Sequence, residues 1–471
     1  MPRALVAPQK KETTGNSYYK IIPYNHNTTY HNTILIMPTL TYEANLDFAR
    51  QLDQDDALHT FREQFIFPQH NGQDTIYFCG NSLGLQSKGV AGELQKELDR
   101  WGNLAIDGFF TGDTPWLKYH EELSQNLAPI MGASPSELIV MNTLTVNLHL
   151  MMVSFYRPTQ ERFKIIMEAG AFPSDQYAVE TQVKFHGFDP AEAIVEVTPR
   201  AGEELLHDED ILAAIEEHGE QTALILFGGV NYYTGQVYDM EAITEAGHRV
   251  GARVGFDLAH GAGNYPVKLH DWNVDFAVWC SYKYLNSGPG GPSGAFVHER
   301  HSGDSDLPRF AGWWGYEEST RFLMRKGFKP AAGAAGWQLS TPNILTMVPH
   351  RVSLQLFAQA GFTRLREKSR QLTAYLEYLI REVSGQTDRF RIITPSDPDR
   401  RGCQLSVLTT QEGKDLFDYL IDHGVILDWR EHNLPGDTGQ SAGVIRVAPT
   451  PMYNTFEDVF RFAELLEKYV R

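Results

Sequence analysis

Between residues 135 and 297, short apolar runs alternate with longer amphipathic ones, the pattern of strands and helices taking turns. The runs 164–167, 194–197, 223–227, 253–256 and 277–280 predict strands, and 174–185, 208–218 and 240–250 predict the helices between them. Strands apolar at nearly every position are buried on both faces, so the alternation predicts an α/β fold with a mostly parallel sheet flanked by helices. Ligands of such sheets sit at the carboxyl ends of the strands. Upstream, the pattern predicts a helix over 48–65, a strand over 75–79 and a helix over 88–101. Downstream, a helical stretch over 349–383 leads into strands 404–408, 425–427 and 444–447 and helices 414–422 and 455–470, a separate α+β unit. The expected organisation is an N-terminal extension over 1–40, a segment over 41–110 packing with the small domain, a large cofactor-binding domain over 111–345 and a small C-terminal α+β domain over 346–471.

Composition narrows the function classes. A chain of 471 residues is long enough for a large domain plus a smaller one. With 41 basic against 59 acidic residues the formal charge is −18, which opposes binding to nucleic acid or to anionic lipid. The most apolar long window, 138–155, is interrupted by Asn142, Asn147 and His149, so no membrane span is expected. Cys79, Cys280 and Cys403 show neither CxxC nor Cys/His spacing, which excludes a disulfide framework, predicts no metal site, and suits a reducing, cytoplasmic compartment. The first forty residues, rich in Thr, Asn and Tyr, read as a disordered extension, with a transit peptide or a start at Met37 as the alternatives.

The candidate chemistry centres on Ser281-Tyr282-Lys283, which closes an apolar strand and opens the glycine-rich loop 286–294, twenty-six residues after Asp257. A lysine there can carry an aldehyde cofactor as a Schiff base once its amine is uncharged, and a strand-end Asp can keep a proton on a pyridine nitrogen. Alone, Asp257 reads as a turn cap and His260 as a satisfied interior histidine; the pairing of Asp-x-x-His with the next strand's Tyr-Lys reverses that preference. Tyr282 can reach a phosphate or donate a proton, or simply pack on the sheet. Thr143 or Thr145, before an apolar helix, suits a phosphate seat as well as an ordinary cap. Phe172 can stack on a planar cofactor or pack in the core, and Pro173 suits a first helical position. Asp175 can hydrogen-bond a cofactor or favour the helix dipole. Arg446, on an apolar strand, needs a carboxylate: a substrate's or an internal one.

Taken together, these residues resemble the kynureninase family of pyridoxal-phosphate hydrolases, within the aspartate-aminotransferase (type I) fold and the class V aminotransferase-like group. The resemblance spans about residue 46 to the C-terminus. It is carried by Asn81-Ser82-Leu83-Gly84, Leu144-Thr145-Val146-Asn147, Phe172-Pro173-Ser174-Asp175, Tyr233-Thr234-Gly235-Gln236, Asp257-Leu258-Ala259-His260, His270-Asp271-Trp272, Ser281-Tyr282-Lys283, Gly312-Trp313 and Arg446-Val447-Ala448-Pro449. It implies a seven-stranded sheet and pyridoxal 5′-phosphate as cofactor. Leu144 and Thr145 would bind phosphate, Phe172 would stack on the ring within the Phe172–Asp175 motif, Asp257 would pair with the ring nitrogen, and His260, Tyr282 and Lys283 would complete the cradle.

The resemblance further implies a homodimer in which Trp313 reaches the cofactor from the neighbouring subunit, with Thr341 close by. The implied activity is hydrolysis of the Cβ–Cγ bond of L-kynurenine or 3-hydroxy-L-kynurenine, giving the anthranilate and L-alanine, in tryptophan catabolism and NAD biosynthesis. Gly228 stands where other members carry a serine, while Thr341 and Phe109, flanking the aromatic end of the substrate, also vary; the preference between the two substrates stays open. The alternatives are a cysteine desulfurase or related lyase of the same fold, and a non-catalytic scaffold that keeps the fold.

Overall fold

A computed structural model of the protein describes residues 41–385, 387–409, 413–431 and 443–471. The expected N-terminal extension lies outside them. Seven strands form the main sheet: β1 (Leu138–Val140), β2 (Lys164–Glu168), β3 (Ile194–Val197), β4 (Thr222–Gly228), β5 (Arg253–Asp257), β6 (Phe276–Trp279) and β7 (Gly294–Val297). Their order is β1-β7-β6-β5-β4-β2-β3. Only β7 runs against its neighbours, so the sheet is mostly parallel, as its uninterrupted apolar strands predict. The side-chain period of two divides each strand between two cores. Ile165, Met167, Leu224 and Leu226 pack with helices Leu144–Phe155 and Pro173–Phe185 on one face. Ile166, Ile225 and Phe227 pack with helices Asp208–His218, Met240–Arg249 and Tyr119–Met131 on the other.

A second, antiparallel sheet has the order β8 (Phe390–Ile392), β9 (Leu405–Thr409), β11 (Gly443–Val447), β10 (Asp428–Glu431). Helices Phe362–Ser384, Gly413–Asp422 and Phe456–Val470 share its core. The N-terminal segment joins this part: Ile76–Tyr77 pairs in parallel with Val425–Ile426, and Phe78 lies in the same core. Among the described residues, no helix is long and apolar enough to cross a membrane.

Three expected elements differ. The helix predicted over 48–65 is Leu46–Asp55 followed by a 3-10 turn, His59–Gln64, because the Asp56 side chain accepts the Leu58 N–H (2.8 Å) and offers the backbone an alternative to the helical bond. The strand predicted over 75–79 contracts to Ile76–Tyr77; beyond it the chain turns at Gly80 toward the cavity described below. The helix predicted over 349–383 is two helices, Ile344–Ala360 and Phe362–Ser384, separated by Gly361 at φ +77°, a left-handed conformation that glycine tolerates. Pro349 lies inside the first of them rather than at its start; the buried Met347 and Val348 hold the preceding turn in place.

Candidate active site

The carboxyl ends of β2, β4, β5 and β6 converge on a cavity of about 240 Å³. The register of the sheet sets its floor: Asp257 is the parallel partner of Gly228 on one side and Val278 on the other, and Glu168 ends the strand beyond β4. Larger clefts of about 630 and 950 Å³ open elsewhere, and neither includes any of the sequence-predicted site residues.

Eleven of those residues line the cavity: Leu144, Thr145, Phe172, Ser174, Asp175, Gly228, Asp257, His260, Tyr282, Lys283 and Arg446. Pro173 is not among them; it opens helix Pro173–Phe185, where its missing N–H costs nothing, and so aims the residues after it. Phe109, Trp313 and Thr341 also lie outside. Phe109 packs edge-on against Trp116 at 5.2 Å, and Trp313 and Thr341 are exposed. Lining residues that sequence reasoning passed over are Glu168, Val230, Tyr232, Ala259, Cys280 and Arg430, together with Asn81 and Ser82 from the glycine-rich turn.

The lysine is buried at the bottom of the cavity, its Nζ 3.1 Å from His260 Nε2 and 5.7 Å from the centre of the Phe172 ring. The loop that carries it is held by the N-terminal segment. The Gly84 N–H donates to the Tyr282 carbonyl (2.8 Å), and a Cβ on Gly84 would stand 2.4 Å from the Lys283 carbonyl oxygen, so only glycine lets the two segments approach this closely. Burial pushes the His260 imidazole well below its ordinary range, keeping it neutral, and pushes the Tyr282 phenol up, keeping it protonated.

Three buried carboxyls, Glu168, Asp175 and Asp257, line the cavity with its one lysine. Burial raises the pKa of Asp257, against the pull of the Ala259 N–H, which its Oδ1 accepts at 2.7 Å. Burial and the neighbouring Asp257 hold Asp175 well above the carboxylate range, because two adjacent acids cannot both ionise. Asp175 Oδ1 is buried without a hydrogen-bond donor. Such a pair fits a ligand that brings its own N–H or positive charge.

On the opposite wall the Thr145 and Ser174 hydroxyls stand 2.7 Å apart, in the first turns of helices Leu144–Phe155 and Pro173–Phe185. Two hydroxyls at the starts of two helices, where the helix dipole is positive, suit a phosphate. The exposed face of Phe172, set edge-on to Tyr232 at 5.3 Å, offers a stacking surface between the two. A lysine, an acid pair short of a proton donor, a stacking ring and a phosphate seat fit pyridoxal 5′-phosphate.

Arg446 is fully buried and has the internal partner that was one of its two expected fates: its guanidinium lies 2.7 Å from Asp428. The cysteines also bear on the rival chemistry. Cys280, expected inside a strand, follows the end of β6 and lines the cavity, because the chain bends there to bring Lys283 inward. Burial raises the thiols of Cys79, Cys280 and Cys403, the last to about 12, so none is poised as a thiolate nucleophile.

Glu168 yields a pH-dependent prediction. Its carboxylate oxygens take the Gly228 N–H at 3.0 and 3.2 Å, and burial pushes its pKa up from 4.5 to about 8. The folded chain therefore keeps a proton that the unfolded chain releases, and stability falls as pH rises from about 4.5 to about 8. Glu168→Gln keeps the acceptor and removes the ionisation. The expected result for cofactor-stripped protein is a melting temperature a few degrees above wild type at pH 8 and equal to it at pH 4. Equal melting curves at pH 8 would exclude a raised Glu168.

Comparison with known proteins agrees with this geometry. Residues 365–466 match the family model described as the kynureninase C-terminal domain. The chain is 54% identical to a kynureninase of Flavobacterium psychrophilum over 91% of its length and 99% of that protein's. It is likewise 54% identical to a kynureninase of Stenotrophomonas maltophilia, over 89% and 96%. Among solved structures it resembles cysteine desulfurases of Thermococcus onnurineus (TM-score 0.69, 19% identity, 84% of this chain and 94% of that one) and Escherichia coli (0.68, 17%, 87% and 98%). At that identity the likeness shows the fold: the large and small units of the type I architecture, with the mostly parallel seven-stranded sheet. The chain belongs to the kynureninase family.

Proposed function

We propose that this protein is a pyridoxal-phosphate-dependent hydrolase that splits the Cβ–Cγ bond of L-kynurenine or its 3-hydroxy analogue, releasing the aromatic amine and L-alanine. The observation that carries this reading is the 50–54% identity to several relatives named kynureninase, each along at least 89% of this chain; the cavity supports it. Bound pyridoxal phosphate supplies an electron sink for negative charge developing beside the substrate's α-carbon.

The chain's own groups would do the rest. Thr145 and Ser174 bind the phosphate beside Leu144, and Phe172 stacks on the ring. Asp257, with Asp175 beside it, accepts the ring N–H and keeps that nitrogen protonated. Lys283 would hold the aldehyde and would move the proton at the substrate's Cα, with neutral His260 at 3.1 Å to accept a hydrogen bond from its amine. Arg446 fixes the α-carboxylate and so the orientation of the Cα–H bond. The protonated Tyr282 is the candidate acid for hydration of the side-chain ketone.

Three further assignments belong to this proposal. The active form is a homodimer in which Trp313 of a second copy reaches the cofactor, with Thr341 close by, since both are exposed and away from the cavity of their own chain. Residues 111–345 act as the cofactor-binding domain and 346–471 as the smaller one. The compartment is the cytoplasm, in keeping with three free thiols.

A desulfurase reading is weaker, because its thiolate has no candidate among three cysteines with raised pKa values. The test is to give cofactor-loaded protein L-kynurenine and 3-hydroxy-L-kynurenine separately and follow the fluorescence of the released amine and the formation of alanine. Equimolar products are expected from at least one substrate; release of sulfide from cysteine with neither product would overturn the proposal.

A further inference from the structure

Arg446 and Arg430 both line the cavity, and Asp428 lies between them. The strand register explains why. Asp428 in β10 is the cross-strand partner of Arg446 in β11, and Arg430, two residues along, faces the same side. The two guanidiniums differ in what they can still bind.

Arg446 has committed three of its five N–H donors: Nε to Asp428 (2.9 Å), Nη2 to Ser82 Oγ (3.3 Å) and Nη1 to the Tyr232 carbonyl (2.9 Å), with Nη2 also paired by charge to Asp428 at 2.7 Å. Its side chain is 2% exposed. Arg430 is 40% exposed, and among the described residues its one carboxylate partner is Asp428, at 2.9 Å from Nε and 3.1 Å from Nη2. Two guanidiniums share one carboxylate, so this wall presents a net positive charge to the cavity.

A ligand carboxylate entering here meets one spare N–H on each terminal nitrogen of Arg446 and the Nη1 of Arg430, which makes no hydrogen bond among the described residues. Planar guanidinium groups recognise carboxylates best through paired N–H donors, and all three nitrogens of Arg446 are already engaged with Asp428, Ser82 or Tyr232, whereas Nη1 of Arg430 is engaged with none among the described residues. We propose that Arg430 is a second carboxylate-binding residue of the substrate site, taking the α-carboxylate jointly with Arg446 while Asp428 fixes the two guanidiniums side by side. The assignment deepens the kynurenine-cleaving function and rests on it.

The test uses holoenzyme, wild type and two variants, Arg430→Gln and Arg430→Lys, with folding checked by thermal melting. A charge-assisted hydrogen bond of ~1.5–3 kcal/mol corresponds to roughly 10- to 100-fold in affinity. Arg430→Gln is expected to raise KM for kynurenine about tenfold or more with kcat changed less than about threefold, and Arg430→Lys to recover part of the loss.

Binding is measured separately, by calorimetry, with two inert aryl ketones that lack the α-amino group, benzoylpropionate and its neutral amide. Wild type should prefer the acid, and Arg430→Gln should lose most of that preference while binding the amide as before. An unchanged KM and preference, or equal weakening of acid and amide, would overturn the assignment and leave Arg430 as a wall residue. If wild type cleaves no kynurenine, the proposed function fails, whereas the acid-against-amide comparison still decides whether Arg430 reads a carboxylate.

Discussion

Lys283→Ala is expected to lower turnover of kynurenine by roughly 10³-fold or more, because the variant loses both the covalent hold on the cofactor and the group that moves the Cα proton. The visible absorbance of the lysine-bound cofactor should disappear with it. The fold should survive. The removed side chain lies near Asp175 and Asp257, whose carboxyls burial already favours in the protonated form, so its loss leaves no obligatory unpaired negative charge. Far-ultraviolet circular dichroism checks that point, and steady-state rates with absorbance spectra check the rest. A variant that turned over at the wild-type rate would remove Lys283 from the chemistry.

Asp257→Ala should be the next most damaging change, with kcat lower by about 10²–10³-fold. Its carboxyl lies at the end of a central strand, held by the Ala259 N–H at 2.7 Å and flanked by Asp175. Without it the ring nitrogen loses the acceptor that keeps its proton, and with that the pull on electrons from the substrate. Cofactor should still bind, since the phosphate seat at Thr145 and Ser174 and the attachment at Lys283 are untouched. The signature is thus a coloured but slow enzyme, whereas Lys283→Ala gives one without the characteristic band. Equal loss of colour in both variants would mean that Asp257 holds the chain together rather than tuning the ring.

Much of this was legible in the sequence where local pattern and global fold agree. Buried parallel strands are apolar at nearly every position, so β4, β5 and β6 announce themselves, and the ends of β4 and β5 and the turn after β6 place Gly228, Asp257 and Lys283 at one edge of the sheet. The chain spacing of Asp257, His260 and Lys283 carried the cofactor reading before any distance was known. What pattern could not reveal was convergence from afar. Glu168 reads as the polar end of a strand, yet sheet register sets it beside Gly228, sixty residues away in sequence. Arg430 lies beyond the strand predicted over 425–427; only the antiparallel pairing of β10 with β11 brings it to the same carboxylate as Arg446.

The misread boundaries have local causes. Asp56 ends a helix by accepting the Leu58 N–H, and Gly361 divides what apolar periodicity joined. Trp313, Thr341 and Phe109 belong to a different class: none of them lines the cavity of its own chain, so the roles that the resemblance implies for them have no counterpart within one chain.

The central claim is that Lys283 carries the cofactor, and it can be tested without any substrate. Holoenzyme reduced with borohydride, digested and mapped by mass spectrometry should yield the pyridoxyl group on the peptide containing Lys283, at close to one per chain. A pyridoxyl group on any other lysine, or none on a protein that binds the cofactor, would contradict the account.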